Sequence, residues 1–156
     1  MFEGKRYSDY TSNAPKFFSE LVIEPLLKFR VDKIDHGRSG IYILYENGLP
    51  VYVGRTRNLQ SRFRAHVTQS HNSASFALKR TRTRHIEIAK ATYKSENSRQ
   101  SIVEHPLYGE TFKDEINAIK GMSFRFLDVP DPIDQYFLEL FTTMELGLDL
   151  SGFNSY

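Results

Sequence analysis

Residues 40–54 read Gly40-Ile41-Tyr42-Ile43-Leu44-Tyr45-Glu46-Asn47-Gly48-Leu49-Pro50-Val51-Tyr52-Val53-Gly54. β-Branched and tyrosine residues on either side of an Asn-Gly pair specify two short antiparallel strands, about 40–46 and 50–55, joined as a hairpin. The loop length decides where the tyrosines point. A two-residue Asn47-Gly48 turn pairs Tyr42 with Val53 and sends Tyr42 and Tyr52 to opposite faces. A three-residue loop, Glu46-Asn47-Gly48 with Gly48 left-handed, pairs Tyr42 with Tyr52 and puts both hydroxyls on one side. Gly48 at the bulge position and Pro50 just beyond favour the second register. Tyrosines are common in strands in any case; the arginine that follows gives the pair a functional reading.

Downstream, residues 57–68 form a helix capped by Thr56 or Asn58, with Leu59, Phe63 and Val67 on its apolar face. Arg62 lies beside that face, and His66 is its i+4 neighbour. A helical arginine commonly snorkels to water; one turned toward the tyrosines would grip a phosphate by paired hydrogen bonds. His66 and His71 are candidate proton carriers or plain boundary residues. Residues 73–80 read as a short helix, 81–94 fit strand or helix equally, and 95–120 form a polar, partly helical stretch. Ser123–Val129 alternates as a strand does. Asp131-Pro132 opens a helix to about Leu146, with Ile133, Phe137, Leu140, Phe141 and Met144 as its expected buried stripe. Glu139 lies off that stripe, between Tyr136 and Thr143. It reads as a solvated glutamate or as a single carboxylate able to hold Mg²⁺ through water.

Upstream, residues 1–12 are an aperiodic arm. Asn13 caps a helix from about Ala14, with Phe17, Phe18, Leu21, Val22, Leu26 and Leu27 as its apolar face and Pro25 breaking or kinking it. Residues 31–39 are a charged linker.

The chain has 156 residues, room for one domain, and no cysteine, so disulfides, thiolate metal sites and cysteine nucleophiles are excluded. It lacks an apolar run of membrane-spanning length and a signal-peptide layout, which makes cytoplasm the expected compartment. The net charge of +2 hides a strong division. Residues 1–54 carry seven Lys/Arg and seven Asp/Glu, residues 55–99 eleven and two, and residues 100–156 three and ten. The basic middle, including Arg55, Arg57, Arg64, Lys79, Arg80, Arg82 and Arg84, is either a phosphate-binding face or the partner of the acidic end.

Gly40-Ile41-Tyr42, Tyr52-Val53-Gly54, an arginine eight residues beyond Gly54, and a late helical glutamate fifteen residues before Asn154 together resemble the GIY-YIG nuclease family. The resemblance covers about 40–68 and 121–156. It implies an α+β fold with a small, mainly antiparallel three-stranded sheet flanked by helices, over residues 39–156, with an insertion at about 81–120 and residues 1–38 as an N-terminal helical extension. It further implies an endonuclease acting on DNA with Mg²⁺ (or Mn²⁺). Tyr42 and Tyr52 match the paired tyrosines, Arg62 the phosphate-binding arginine and Glu139 the metal ligand. Arg55 sits where members differ, and the spacing of His71 departs from that of the helper histidine. An unperturbed phenol, with a pKa near ~10, is a poor base at neutral pH, so a neighbouring charge must assist Tyr42. A non-cleaving nucleic-acid-binding module and a protein-interaction domain are the competing expectations.

Overall fold

The computed structural model describes residues 4–29, 37–68, 74–85 and 99–153. His71, Asn154, most of the 31–39 linker and the second part of the 81–94 segment lie outside the described residues. The elements run α1 (Tyr7–Leu21), β1 (Leu27–Lys28), β2 (Gly40–Glu46), β3 (Leu49–Thr56), α2 (Leu59–His66), α3 (Ser75–Arg84), α4 (Arg99–Glu104), α5 (Pro106–Lys120), β4 (Ser123–Asp128) and α6 (Pro132–Glu145), then a short 3₁₀ turn at Ser151–Phe153. The fold is α+β. The chain divides into two compact units, Met1–Gln60 with Met122–Tyr156, and Ser61–Gly121.

The first unit is built on an antiparallel sheet ordered β1-β4-β2-β3. It has four strands rather than the expected three, because Leu27 and Lys28 pair with Phe124 and Ser123 instead of ending a helix. Ile41, Ile43 and Tyr45 of β2 point to one face, where they pack with Leu127, Val129, Leu21 of α1 and Leu138 of α6. Tyr42 and Leu44 point to the other, beside Phe126 and Phe124 of β4.

The hairpin turns through two residues, Asn47 (φ 52°) and Gly48 (φ 80°), with Glu46 opposite Leu49. This corrects the three-residue loop, and Tyr42 faces Gly54 rather than Tyr52. The two tyrosines nevertheless share a face. Tyr45 pairs with Pro50 and Leu44 with Tyr52, leaving Val51 as an extra residue that shifts the register by one. Pro50 has no N–H for the ladder, so the strand breaks its pairing there and a bulge restores the parity that the turn alone would have reversed.

The N-terminal arm is helical from Tyr7, not from Ala14. Its order comes from α6: Tyr7 and Tyr10 pack on Phe137 with ring centroids 5.6 Å apart in each case. Lys5 Nζ bridges Asp131 at 3.0 Å and Asp134 at 2.7 Å. Asn13, expected as a cap, instead donates to Asp134 Oδ1 at 3.2 Å.

On α6 the buried residues are Asp134, Gln135, Leu138, Thr142 and Thr143, which corrects the expected stripe. Ile133, Leu140 and Met144 are 44%, 40% and 59% exposed. The helix rotates because its polar side chains find partners inside: Gln135 Nε2 donates to Val129 O at 2.6 Å and Ser39 Oγ at 2.9 Å. Asp131 caps it, accepting from Ile133 N at 2.8 Å as expected.

The second unit holds α3, α4 and α5. Phe76, Ala77 and Leu78 of α3, Ile102 of α4, and Phe112, Ile116 and Ile119 of α5 are buried. No helix among the described residues is long and apolar enough to cross a membrane.

Candidate active site

Both glycines of the hairpin motif are set by close approach. A Cβ on Gly40 would strike Leu127 O and lie 2.9 Å from Val129 N, where β2 and β4 close the end of the sheet. A Cβ on Gly54 would occupy the space of the Tyr42 ring, meeting its Cζ and its hydroxyl oxygen. Gly54 is therefore the floor on which the Tyr42 phenol lies. Tyr52 stands diagonally across, with ring centroids 6.0 Å apart and a 36° tilt. Tyr42 is fully buried, at 0% exposure, whereas Tyr52 is half-buried. Gly54→Ala should displace the Tyr42 ring and lower stability by about 1–3 kcal/mol, as overpacking does. A denaturant midpoint equal to that of the wild type would show that the ring moves aside freely.

Arg55 lies opposite Ile41 and so belongs to the α6 side of the sheet, not to the tyrosine side. Its Nε is 3.5 Å from Glu139 Oε2, and its guanidinium carbon is 3.5 Å from the centre of the Tyr136 ring. β3 is the outermost strand of the sheet. Next to Arg55, a cleft of about 240 Å³ is lined by Arg55, Thr56, Arg57, Pro132, Gln135 and Tyr136.

In the second unit, His66 is fully buried between Phe63 and Phe76. Burial, followed by the positive charge of Arg62 one turn earlier, pulls its pKa down to about 3. Its imidazole is neutral over the whole working range, which removes it as a carrier of charge near pH 7. Between the unfolded value of about 6.5 and the folded value of about 3, the unfolded chain binds a proton that the native state refuses. Stability should therefore fall as pH drops through this window, by roughly 1.4 kcal/mol per unit. Thermal melts from pH 6.5 to 5 should show this slope in the wild type and a flatter one in His66→Gln. Equal slopes would assign the pH dependence to other groups.

Arg62 is half-buried on α2, and Arg57, Arg64 and Lys79 are exposed. Arg80 Nε lies 2.5 Å from Glu115 Oε2 and Arg84 Nη1 3.4 Å from its Oε1. Glu115 is a buried carboxylate of α5, so this part of the basic segment pairs with the acidic end. Arg82 differs: burial and the neighbouring charge of Arg99 hold its pKa below the ordinary arginine value. Two guanidiniums that disfavour each other gain from an anion.

Sequence reasoning missed the contact of Arg55 with Glu139 and Tyr136, because it depends on how α6 docks on the sheet. No group of three or more His, Cys, Asp or Glu among the described residues is arranged to hold a metal ion.

The α+β domain thus carries a hairpin with two same-face tyrosines, each motif glycine fixed by a neighbour, in an antiparallel sheet followed by a basic helix. The family model of the GIY-YIG catalytic domain matches residues 38–111, a little under half of the chain, and supports its placement with that family, whose members are nucleases and generally endonucleases. The match takes in the hairpin, α2, α3 and α4, while β4 and α6, with Glu139, lie beyond it. Comparison with curated proteins and with solved structures gave no match.

Proposed function

We propose that the chain is a divalent-metal-dependent endonuclease that hydrolyses DNA phosphodiester bonds, one strand per site. The observation that supports this most is the Tyr42–Tyr52 pair held over Gly54, inside the segment matched by the nuclease family. The Tyr42 hydroxyl would orient the attacking water and take its proton, with Tyr52 assisting. Arg62, assigned by its spacing from Gly54, would hold the phosphate oxygens and stabilise the charge that builds on them.

Glu139 would hold the metal. Its carboxylate is a hard oxygen donor, 20% exposed. A single such ligand suits Mg²⁺ or Mn²⁺, which keeps several waters and draws other ligands from substrate phosphates. When bound, the ion supplies Lewis-acid stabilisation to the leaving oxygen.

Phosphate contacts that position the nucleic acid would come from Arg57, Arg64, Lys79 and Arg82. Arg80 and Arg84 would contribute less, since both are engaged with Glu115. His71 and Asn154 remain auxiliary candidates by sequence alone. The nuclease domain would extend over residues 39–156, with 1–38 as an added segment.

The burial of Tyr42 favours a second reading, a nucleic-acid-binding module in which this phenol is a core side chain. Incubation with supercoiled plasmid in Mg²⁺ or in EDTA separates the two. Metal-dependent conversion to open circles supports the nuclease. Salt-dependent binding with no conversion supports the module.

A further inference from the structure

The nuclease reading leaves Arg55 without a role, yet its surroundings are specific. Its Nε faces Glu139 Oε2 at 3.5 Å, and the two side chains are 36% and 20% exposed. A charge-assisted hydrogen bond runs about 2.7–2.9 Å, and elsewhere in this chain Arg38 Nη2 meets Asp128 Oδ2 at 2.6 Å. Arg55 thus neutralises Glu139 without being bound tightly to it. Its guanidinium stacks on the exposed Tyr136 ring, a surface on which a planar cation can slide. Arg55 also lines the cleft of about 240 Å³ shared with Thr56, Arg57 and the first turn of α6. Arg57 is exposed and makes no ion pair among the described residues. The cleft therefore presents two guanidiniums, and the positive end of a helix adds to them.

We propose that Arg55 is a counterion that changes partners. In the free protein it neutralises Glu139. When a backbone phosphate of the nucleic acid enters the Arg55–Arg57 cleft, the guanidinium moves to that phosphate and leaves the carboxylate to the divalent cation. This rests on Glu139 being the metal ligand. Guanidinium and cation compete for one carboxylate in the free protein, and phosphate relieves the competition. Metal and nucleic acid accordingly strengthen each other's binding by the same factor.

The test measures Mn²⁺ binding to the DNA-free protein by titration calorimetry. In parallel, it measures duplex binding in EDTA across a salt series by fluorescence anisotropy. Arg55→Gln should raise Mn²⁺ affinity roughly fivefold, the scale of a part-exposed ion pair. The same variant should weaken duplex binding and reduce its log–log salt slope by about 0.9, the loss of one phosphate contact. Arg55→Lys should stay close to wild type in Mn²⁺ affinity and salt slope, which guards against a folding artefact. Glu139→Gln should abolish Mn²⁺ binding and, by releasing Arg55, tighten duplex binding in EDTA. An Arg55→Gln protein with unchanged or weaker Mn²⁺ affinity overturns the exchange, as does one with an unchanged salt slope. Retained Mn²⁺ binding in Glu139→Gln overturns the metal assignment itself, a result distinct from either.

Discussion

Glu139→Gln is expected to remove Mg²⁺-dependent nicking of supercoiled plasmid while the fold persists. The amide keeps the shape of the carboxylate and loses its charge, so it no longer holds a divalent cation against water. The Thr143 hydroxyl donates to the backbone oxygen of Glu139 at 2.7 Å, which the substitution leaves in place. Arg55, across from the carboxylate, is partly exposed and can turn to water. Nicking, duplex anisotropy and melting temperature together check the prediction. The expected set is no nicking, duplex binding at least as tight as that of the wild type, and a melt within a few degrees of it. Full activity would remove Glu139 from the mechanism and direct attention to carboxylates outside α6.

The second large effect separates the arginine from the two phenols. Losing a donor that stabilises transition-state charge costs roughly 10²–10³ in rate, and losing a proton carrier about 10²–10⁴. Arg62→Ala should therefore be nearly inactive at every pH. Tyr42→Phe should lose activity and also flatten the alkaline rise of the pH–rate profile. Tyr52→Phe should lose less and keep the profile, because an assisting hydroxyl does not set it. The burial of Tyr42 makes this comparison decisive. Phenylalanine fits the same space over Gly54, and a melt of each variant separates a loss of stability from a loss of rate. If Tyr42→Phe keeps the wild-type rate and profile, the ring is a core element, and the base lies elsewhere.

The hairpin was legible because its signals are local. Alternation, an Asn-Gly turn and flanking glycines act within fifteen residues, and β2 and β3 formed where they pointed. The same-face arrangement of Tyr42 and Tyr52 was also anticipated, but through the wrong register. The expectation placed the extra residue in the loop, whereas the chain places it at Val51, beside the proline that cannot pair. Both routes give the same parity, so the conclusion survived the error in the path. β4 and α6 were legible for similar reasons: the alternation of Phe124 and Phe126 with polar residues in Ser123–Asp128, and an Asp-Pro start for the helix.

The misses share a cause. Residues 4–12 show no period, so their helix is invisible until Lys5, Tyr7 and Tyr10 meet Asp131, Asp134 and Phe137 of a helix more than a hundred positions away. The face of α6 was misjudged because hydrophobicity marks Ile133, Leu140 and Met144, while the buried side carries Asp134, Gln135 and Thr143 with polar partners. A buried polar residue with a satisfied hydrogen bond leaves no apolar signature in the sequence.

By itself, then, the sequence determined the hairpin, the identity and spacing of its tyrosines and glycines, the arginine that follows, and through them the resemblance to the nuclease family that the family model supports. Spacing along one strand or one helix is enough to place such groups, since backbone geometry fixes their periodicity. Only the tertiary structure decided that Gly54 is the floor under Tyr42, that Arg80 and Arg84 are occupied by Glu115, and that Arg55 stands against Glu139. Each of these joins residues far apart in the chain, and their meeting depends on how helices dock, which no local pattern encodes.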